Sequence, residues 1–127
     1  MEDPVRIALV DDHRLFRSGI ASLIEDFDRY TILFEAGDGE EMIRKINPKN
    51  KPHIILLDIS MPKMNGIECL KNIKGLAHLN HCKIFMYSTT SEASVLEKSK
   101  KLGATDFIVK PASPAVLKET LSGILNN

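Results

Sequence analysis

Four consecutive apolar residues, Ile54 to Leu57, run directly into Asp58, and the chain then enters a loop punctuated by Pro62 and Gly66. A short unbroken apolar run fits a strand buried on both faces, as in a parallel sheet covered by helices. Asp58 then places a carboxylate where that strand ends. In open α/β sheets, ligands bind outside the carboxyl ends of the strands. On turn chemistry alone, the same aspartate serves equally well as a cap for the next helix. Which reading holds depends on whether other strands deliver partners to the same edge.

The rest of the chain alternates in the way such a sheet requires. Val5–Val10 reads as a first strand, and from His13 to Phe27 the residues Phe16, Ile20, Leu23, Ile24 and Phe27 recur at helical spacing. Thr31–Ala36 is a second strand, Asp38 a plausible cap for a helix to about Ile46, and Asn47-Pro48 its stop. After the strand that ends at Asp58, a helix from about Asn65 carries Ile67, Leu70, Ile73 and Leu76 on one face. Lys83–Tyr87 is a fourth strand, ending at Ser88, and Ser91 opens a helix that runs to Leu102 and closes at Gly103. That helix has a thin apolar stripe, Val95, Leu96 and Leu102, among Glu97, Lys98, Lys100 and Lys101. Thr105–Val109 is a fifth strand, ending at Lys110-Pro111, and Ser113-Pro114 starts a last helix with Val116, Leu117, Leu121 and Ile124 inward. Strict βα alternation predicts a parallel sheet with right-handed crossovers and helices on both faces.

Composition narrows the function. A chain of 127 residues reads as one domain, 1–127, without repeats or linkers. Lys+Arg and Asp+Glu balance at 17 each, so no basic field argues for direct nucleic-acid binding. No apolar run approaches the length of a membrane span, and the acidic opening Met1-Glu2-Asp3-Pro4 is unlike a signal peptide. Cys69 and Cys82 form no CxxC pair and read as reduced thiols, which points to a cytoplasmic protein.

The strand ends carry the chemistry. Strand one delivers Asp11 and Asp12, strand three Asp58, strand four Ser88 and strand five Lys110. Each has an ordinary reading alone, as a helix cap, a turn hydroxyl or a solvated charge. Together they would meet at one edge of the sheet. Three carboxylates within a few ångströms repel by several kcal/mol at an effective dielectric of about 20, so the cluster requires a cation or shifted pKa values. An all-oxygen site favours Mg²⁺, which often shares its sphere with a phosphate. Metal, lysine and hydroxyl together suit the oxygens of a phosphoryl group, which leaves Asp58 as a nucleophile able to form an aspartyl phosphate.

With these residues in place, the chain resembles the receiver domain of two-component response regulators from about Val5 to Leu125. The matching pieces are V-D-D-H, L-L-D-I-S-M-P-K-M-N-G, Y-S-T-T and L-G-A-T-D-F-I-V-K-P. The opening D-D-H-R-L-F-R-S-G-I further resembles receivers attached to a LuxR-type helix-turn-helix output domain. The resemblance implies a flavodoxin-like (βα)5 three-layer sandwich with strand order 2-1-3-4-5. It implies that Asp58 accepts a phosphoryl group from a sensor histidine kinase. It assigns Mg²⁺ to Asp12 directly, to Asp11 through water, to Asp58 and to the backbone carbonyl of Ser60. Lys110 would contact a phosphoryl oxygen. Ser88 and Phe107 would be the switch pair, the hydroxyl moving to the phosphoryl group and the ring rotating inward. The face of the fourth helix, fifth strand and fifth helix would then change shape. Ser60 and Thr90 stand where the family tunes the lifetime of the phosphoryl group. The same resemblance implies a longer transcriptional regulator whose output domain lies outside these residues, and it raises self-association on phosphorylation.

Two rival readings remain at this stage. A Mg²⁺-dependent phosphatase working through an aspartyl phosphate usually has a second acid two residues after its nucleophile, where this chain has Ser60. A receiver-like module that is never phosphorylated has no use for Asp11, Asp12, Asp58, Ser88 and Lys110 together. The segment His78-Leu79-Asn80-His81-Cys82 reads as a solvated loop rather than a metal site. Ala36-Gly37-Asp38-Gly39 lacks the G-x-G-x-x-G of a dinucleotide fold.

Overall fold

The computed structural model of the chain describes residues 4–49, 51–59, 66–76, 82–88 and 93–109, together with Ala115 and Glu119. The elements alternate as β1 (Val5–Val10), α1 (Arg14–Glu25), β2 (Tyr30–Ala36), α2 (Gly39–Lys45), β3 (Ile54–Asp58), α3 (Gly66–Lys74), β4 (Lys83–Ser88), α4 (Ala93–Lys101) and β5 (Asp106–Val109). The last expected helix lies outside the described residues except for Ala115 and Glu119, which are helical.

All strand pairs are parallel, in the order β2-β1-β3-β4-β5. This is the flavodoxin-like arrangement that the family resemblance implies. The chain leaves β1 for β2 on one side and returns as β3 on the other. A crevice therefore opens between the carboxyl ends of β1 and β3.

Every residue of β3 is buried, and its alternate side chains feed two separate cores. Ile54 and Leu56 join Ile7, Leu9, Phe85, Tyr87 and the α1 residues Ile20, Ala21 and Ile24. Ile55 and Leu57 join Ala8, Val10, Ile84, Met86 and the α2 and α3 residues Met42, Cys69, Leu70 and Ile73. Truncation of any of these four β3 side chains to alanine costs about 2–5 kcal/mol.

Local chemistry sets the ends of the elements. Asp38 caps α2 by accepting from Glu41 N at 2.9 Å, and the Glu41 carboxylate reaches back to Gly37 N at 2.6 Å. That backbone bond holds the Glu41 carboxyl below the usual carboxylate range. Helix α4 ends with Gly103 N on Lys100 O and Ala104 N on Ser99 O, and Gly103 has φ +100°, the left-handed stop its composition promised. The inner face of α4 is thin: Val95, Leu96 and Leu102 are half-buried, and between them Ser99 is buried with a hydroxyl that has no hydrogen-bond partner among the described residues. Helix α1 stops two residues before Phe27, because the Phe27 amide turns back to Ile24 O at 3.0 Å in a tighter, three-residue bond. No helix among the described residues is long and apolar enough to cross a membrane.

Candidate acidic metal and phosphoacceptor site

The carboxyl ends of β1 and β3 bring Asp11, Asp12 and Asp58 together, with one carboxylate oxygen of each within 4.8 Å of the others. Asp11 and Asp58 are buried and Asp12 is exposed, so the cluster has a closed floor and an open mouth. The donor set is all oxygen and all acidic, which suits a hard divalent cation such as Mg²⁺ better than zinc or copper. Water on the exposed side could complete the octahedral sphere that Mg²⁺ demands.

Each carboxylate is fixed by its own strand. Asp58 is the last residue of β3 and pairs in register with Tyr87 of β4. Immediately after it, Ile59 O accepts from Gly66 N at 2.9 Å, which folds the start of α3 back over the strand end. On the β1 side, Asp11 N donates to Ala36 O at 3.0 Å, and the Asp11 carboxylate accepts from His13 N at 2.8 Å. Asp11 thus holds the turn that leads into α1, while His13, the formal N-cap, makes no side-chain cap bond. The His13 ring stacks on Phe16, whose ring lies 5.5 Å from that of Tyr87. The start of α1 is therefore packed onto the end of β4.

Ser88 ends β4 and pairs with Val109 of β5, which puts its backbone at the same sheet edge. Its side chain is outside the described residues, as are Ser60, Thr90, Lys110 and the His78–His81 loop. Phe107 is half-buried on β5, opposite Met86 in register, and packs against the core on the α2 and α3 side. Cys69 and Cys82 are buried without a disulfide, and burial pushes both thiols up to about 12.

The part played by Arg17 at this edge was not visible in the sequence. Arg17, on α1, donates to Asp11 O at 2.6 Å and Ala36 O at 3.3 Å and forms an ion pair with Glu35 at 3.0 Å. In the sequence it stands only as one letter of the D-D-H-R-L-F-R-S-G-I motif, with nothing to mark what it bonds.

A parallel doubly wound sheet with three acids at its switch point places the chain among α/β domains that bind ligands at that crevice, and comparison with known proteins gives the family. The family model for the response regulator receiver domain matches residues 7–122, and the chain belongs to that family. It is 34% identical to the chemotaxis protein CheY of Thermotoga maritima, over 94% of this chain and 96% of that protein. It is 33% identical to the transcriptional regulatory protein YdfI of Bacillus subtilis, over 94% of this chain and 54% of that protein. The chain thus spans about half the length of YdfI, and likewise half of the regulator DegU of Brevibacillus brevis. Among solved structures, Vibrio cholerae CheY4 superimposes with a TM-score of 0.88 at 28% identity, covering 96% of this chain and 99% of that one. Receiver domains are signalling switches that take a phosphoryl group from histidine kinases.

Proposed function

We propose that this domain is a phosphoacceptor switch in which Asp58 takes a phosphoryl group from a phosphohistidine of a cytoplasmic sensor kinase. The observation that carries the reading is the convergence of Asp11, Asp12 and Asp58 at the switch point between β1 and β3 in a member of the receiver family. Asp11, Asp12, Asp58 and the Ser60 carbonyl would hold Mg²⁺. When bound, the ion offsets the charge of the carboxylates and of the incoming phosphoryl oxygens.

In the transfer itself, an Asp58 carboxylate oxygen forms a bond to phosphorus as the phosphorus–nitrogen bond of the donor breaks, and the donor imidazole leaves with the electron pair and takes up a proton. Lys110 contacts a phosphoryl oxygen. The phosphorylated side chain carries about two negative charges, enough to draw the Ser88 hydroxyl toward it. Phe107 then turns into the space that opens. The thin apolar stripe of α4, with a buried Ser99 hydroxyl that has no hydrogen-bond partner among the described residues, supports a shape change on that side of the sheet. The half-length match to YdfI and DegU supports a longer regulator with a DNA-binding output domain. The switch, not catalysis of a metabolic step, is the product of the chemistry.

Beryllofluoride with Mg²⁺ mimics the phosphoryl group, and a ¹H–¹⁵N NMR titration with it tests the reading. Shifts are expected near Asp58, spreading to Phe107 and α4. A silent spectrum, or an identical response in Asp58→Asn, would overturn it.

A further inference from the structure

The guanidinium of Arg17, on α1, ties the turn just after β1 to the last two residues of β2. Nη1 donates to Asp11 O at 2.6 Å and to Ala36 O at 3.3 Å, while Nε donates to Glu35 Oε1 at 3.0 Å. Asp11 O belongs to the peptide that links Asp11 to Asp12, so its direction sets the direction in which both side chains leave β1. The same short segment is pinned by Asp11 N on Ala36 O, by His13 N on the Asp11 carboxylate and by Arg17 N on His13 O. Adjacent carboxylates on an untethered loop would splay apart to lower their mutual repulsion. A turn whose linking carbonyl is held by a planar fork, itself anchored to β2 through Glu35, cannot do so freely. Lysine could supply the charge but only one point of attachment, without the fixed fork.

We propose that Arg17 is a positioning residue for the acidic pair: by fixing the Asp11–Asp12 peptide it keeps both carboxylates directed at Asp58 and so sets the affinity of the cluster for a divalent cation. The proposal rests on the cluster being a Mg²⁺ site. Its signature is a sign. A cation beside a dication site repels the metal, so removal of the Arg17 charge, acting through space alone, would tighten Mg²⁺ binding. Loss of orientation loosens it, by about tenfold or more where outer-shell partners of metal ligands have been removed.

The test is calorimetric titration of the whole chain with Mg²⁺ alone, for the wild type, Arg17→Met and Arg17→Lys, with ¹H–¹⁵N spectra recorded alongside. The dissociation constant is expected to rise about tenfold in both variants, with the largest amide shifts at Asp12 and His13. Glu35→Gln, which loosens the anchor and leaves the fork, is expected to weaken binding in the same direction by less, and it carries the test with Arg17→Lys if Arg17→Met does not fold. Unchanged or tighter binding in Arg17→Met, or wild-type affinity in Arg17→Lys, overturns the positioning role while leaving the metal site standing. A wild-type chain that takes up no Mg²⁺ overturns both.

Discussion

Gly66 lies so close to Asp58 that a Cβ at position 66 would come within 2.9 Å of the Asp58 carbonyl carbon and 2.7 Å of Ile59 Cα. Real Cβ atoms do not approach backbone that closely, and backbone cannot swing aside as a flexible side chain can. Only glycine lets the start of α3 settle against the end of β3, where its amide bonds Ile59 O. The start of α3 and the placing of Asp58 are therefore one constraint.

Gly66→Ala is expected to lower the stability of the chain by about 1–3 kcal/mol, the usual cost of overpacking a tight site. Because the displaced atoms belong to Asp58 and Ile59, Mg²⁺ affinity should fall as well. Urea unfolding and a Mg²⁺ titration measure the two effects, and a variant with wild-type values in both would remove Gly66 from the account of the site.

Mg²⁺ itself should stabilise the protein, by about 2.7 kcal/mol at a concentration one hundred times its dissociation constant. Asp12→Asn removes one of three mutually repelling charges. In metal-free buffer the variant should therefore be more stable than the wild type, by roughly 1 kcal/mol for a partly solvated pair. With saturating Mg²⁺ the order should reverse. Thermal unfolding with and without the ion decides the matter, and an order that stays the same contradicts the shared-ion account.

His53 supplies a pH dependence at the opposite edge of the sheet. Its Nδ1 accepts from Arg6 N at 2.9 Å, a bond that only the neutral imidazole can make, and the His53 backbone N–H donates to Arg6 O at 2.8 Å. Desolvation, and then the charge of Arg6, hold its pKa below the ordinary imidazole value of 6.5. The unfolded chain thus binds the proton more readily than the folded one. The stability due to His53 is fully present above about pH 6.5 and is lost as pH falls through the lower folded value. Gln at position 53 keeps an acceptor and does not titrate. The stability difference between wild type and His53→Gln should therefore change between pH 7.5 and pH 5, and a constant difference would refute the assignment.

Both thiols should be inert in the folded state. Burial raises Cys69 and Cys82 to about 12, and Cys69 packs its sulfur 3.3 Å from that of Met42. Little thiolate exists near neutral pH to react. Ellman's reagent should find no thiol in native protein and two after denaturation in guanidinium. Fast native labelling of either cysteine would mean that the core on that side opens.

The elements were legible where one residue type meets one environment. Ile54–Leu57 fitted a doubly buried strand, and the structure buries all of it. Gly103 announced a helix stop and provides one. Boundaries were less legible, because they turn on where single amides bond. Phe27 continues the helical spacing of α1, but its N–H has already turned back to Ile24. Thr105 looks like strand and instead lends its hydroxyl to Ile84 N at 3.1 Å, just ahead of β5. The acidic cluster was legible because strand ends converge by topology. Arg17 was not, because two of its three acceptors are main-chain carbonyls, and no residue type advertises those. Gly66 read as loop punctuation, since the sequence cannot say how near another backbone will come.

The crevice between β1 and β3 has one more consequence. Its two acidic walls are neighbours in space but come from opposite ends of the first half of the chain, with β2 and α2 made in between. Their meeting is therefore among the costlier contacts to form in closing entropy. A nascent or half-melted chain in which β3 has not docked on β1 has the acids but not the cluster. On the function proposed above, such a chain has nowhere to receive a phosphoryl group. The site would thus proofread the fold, because only a molecule that has closed its sheet holds the three acids together.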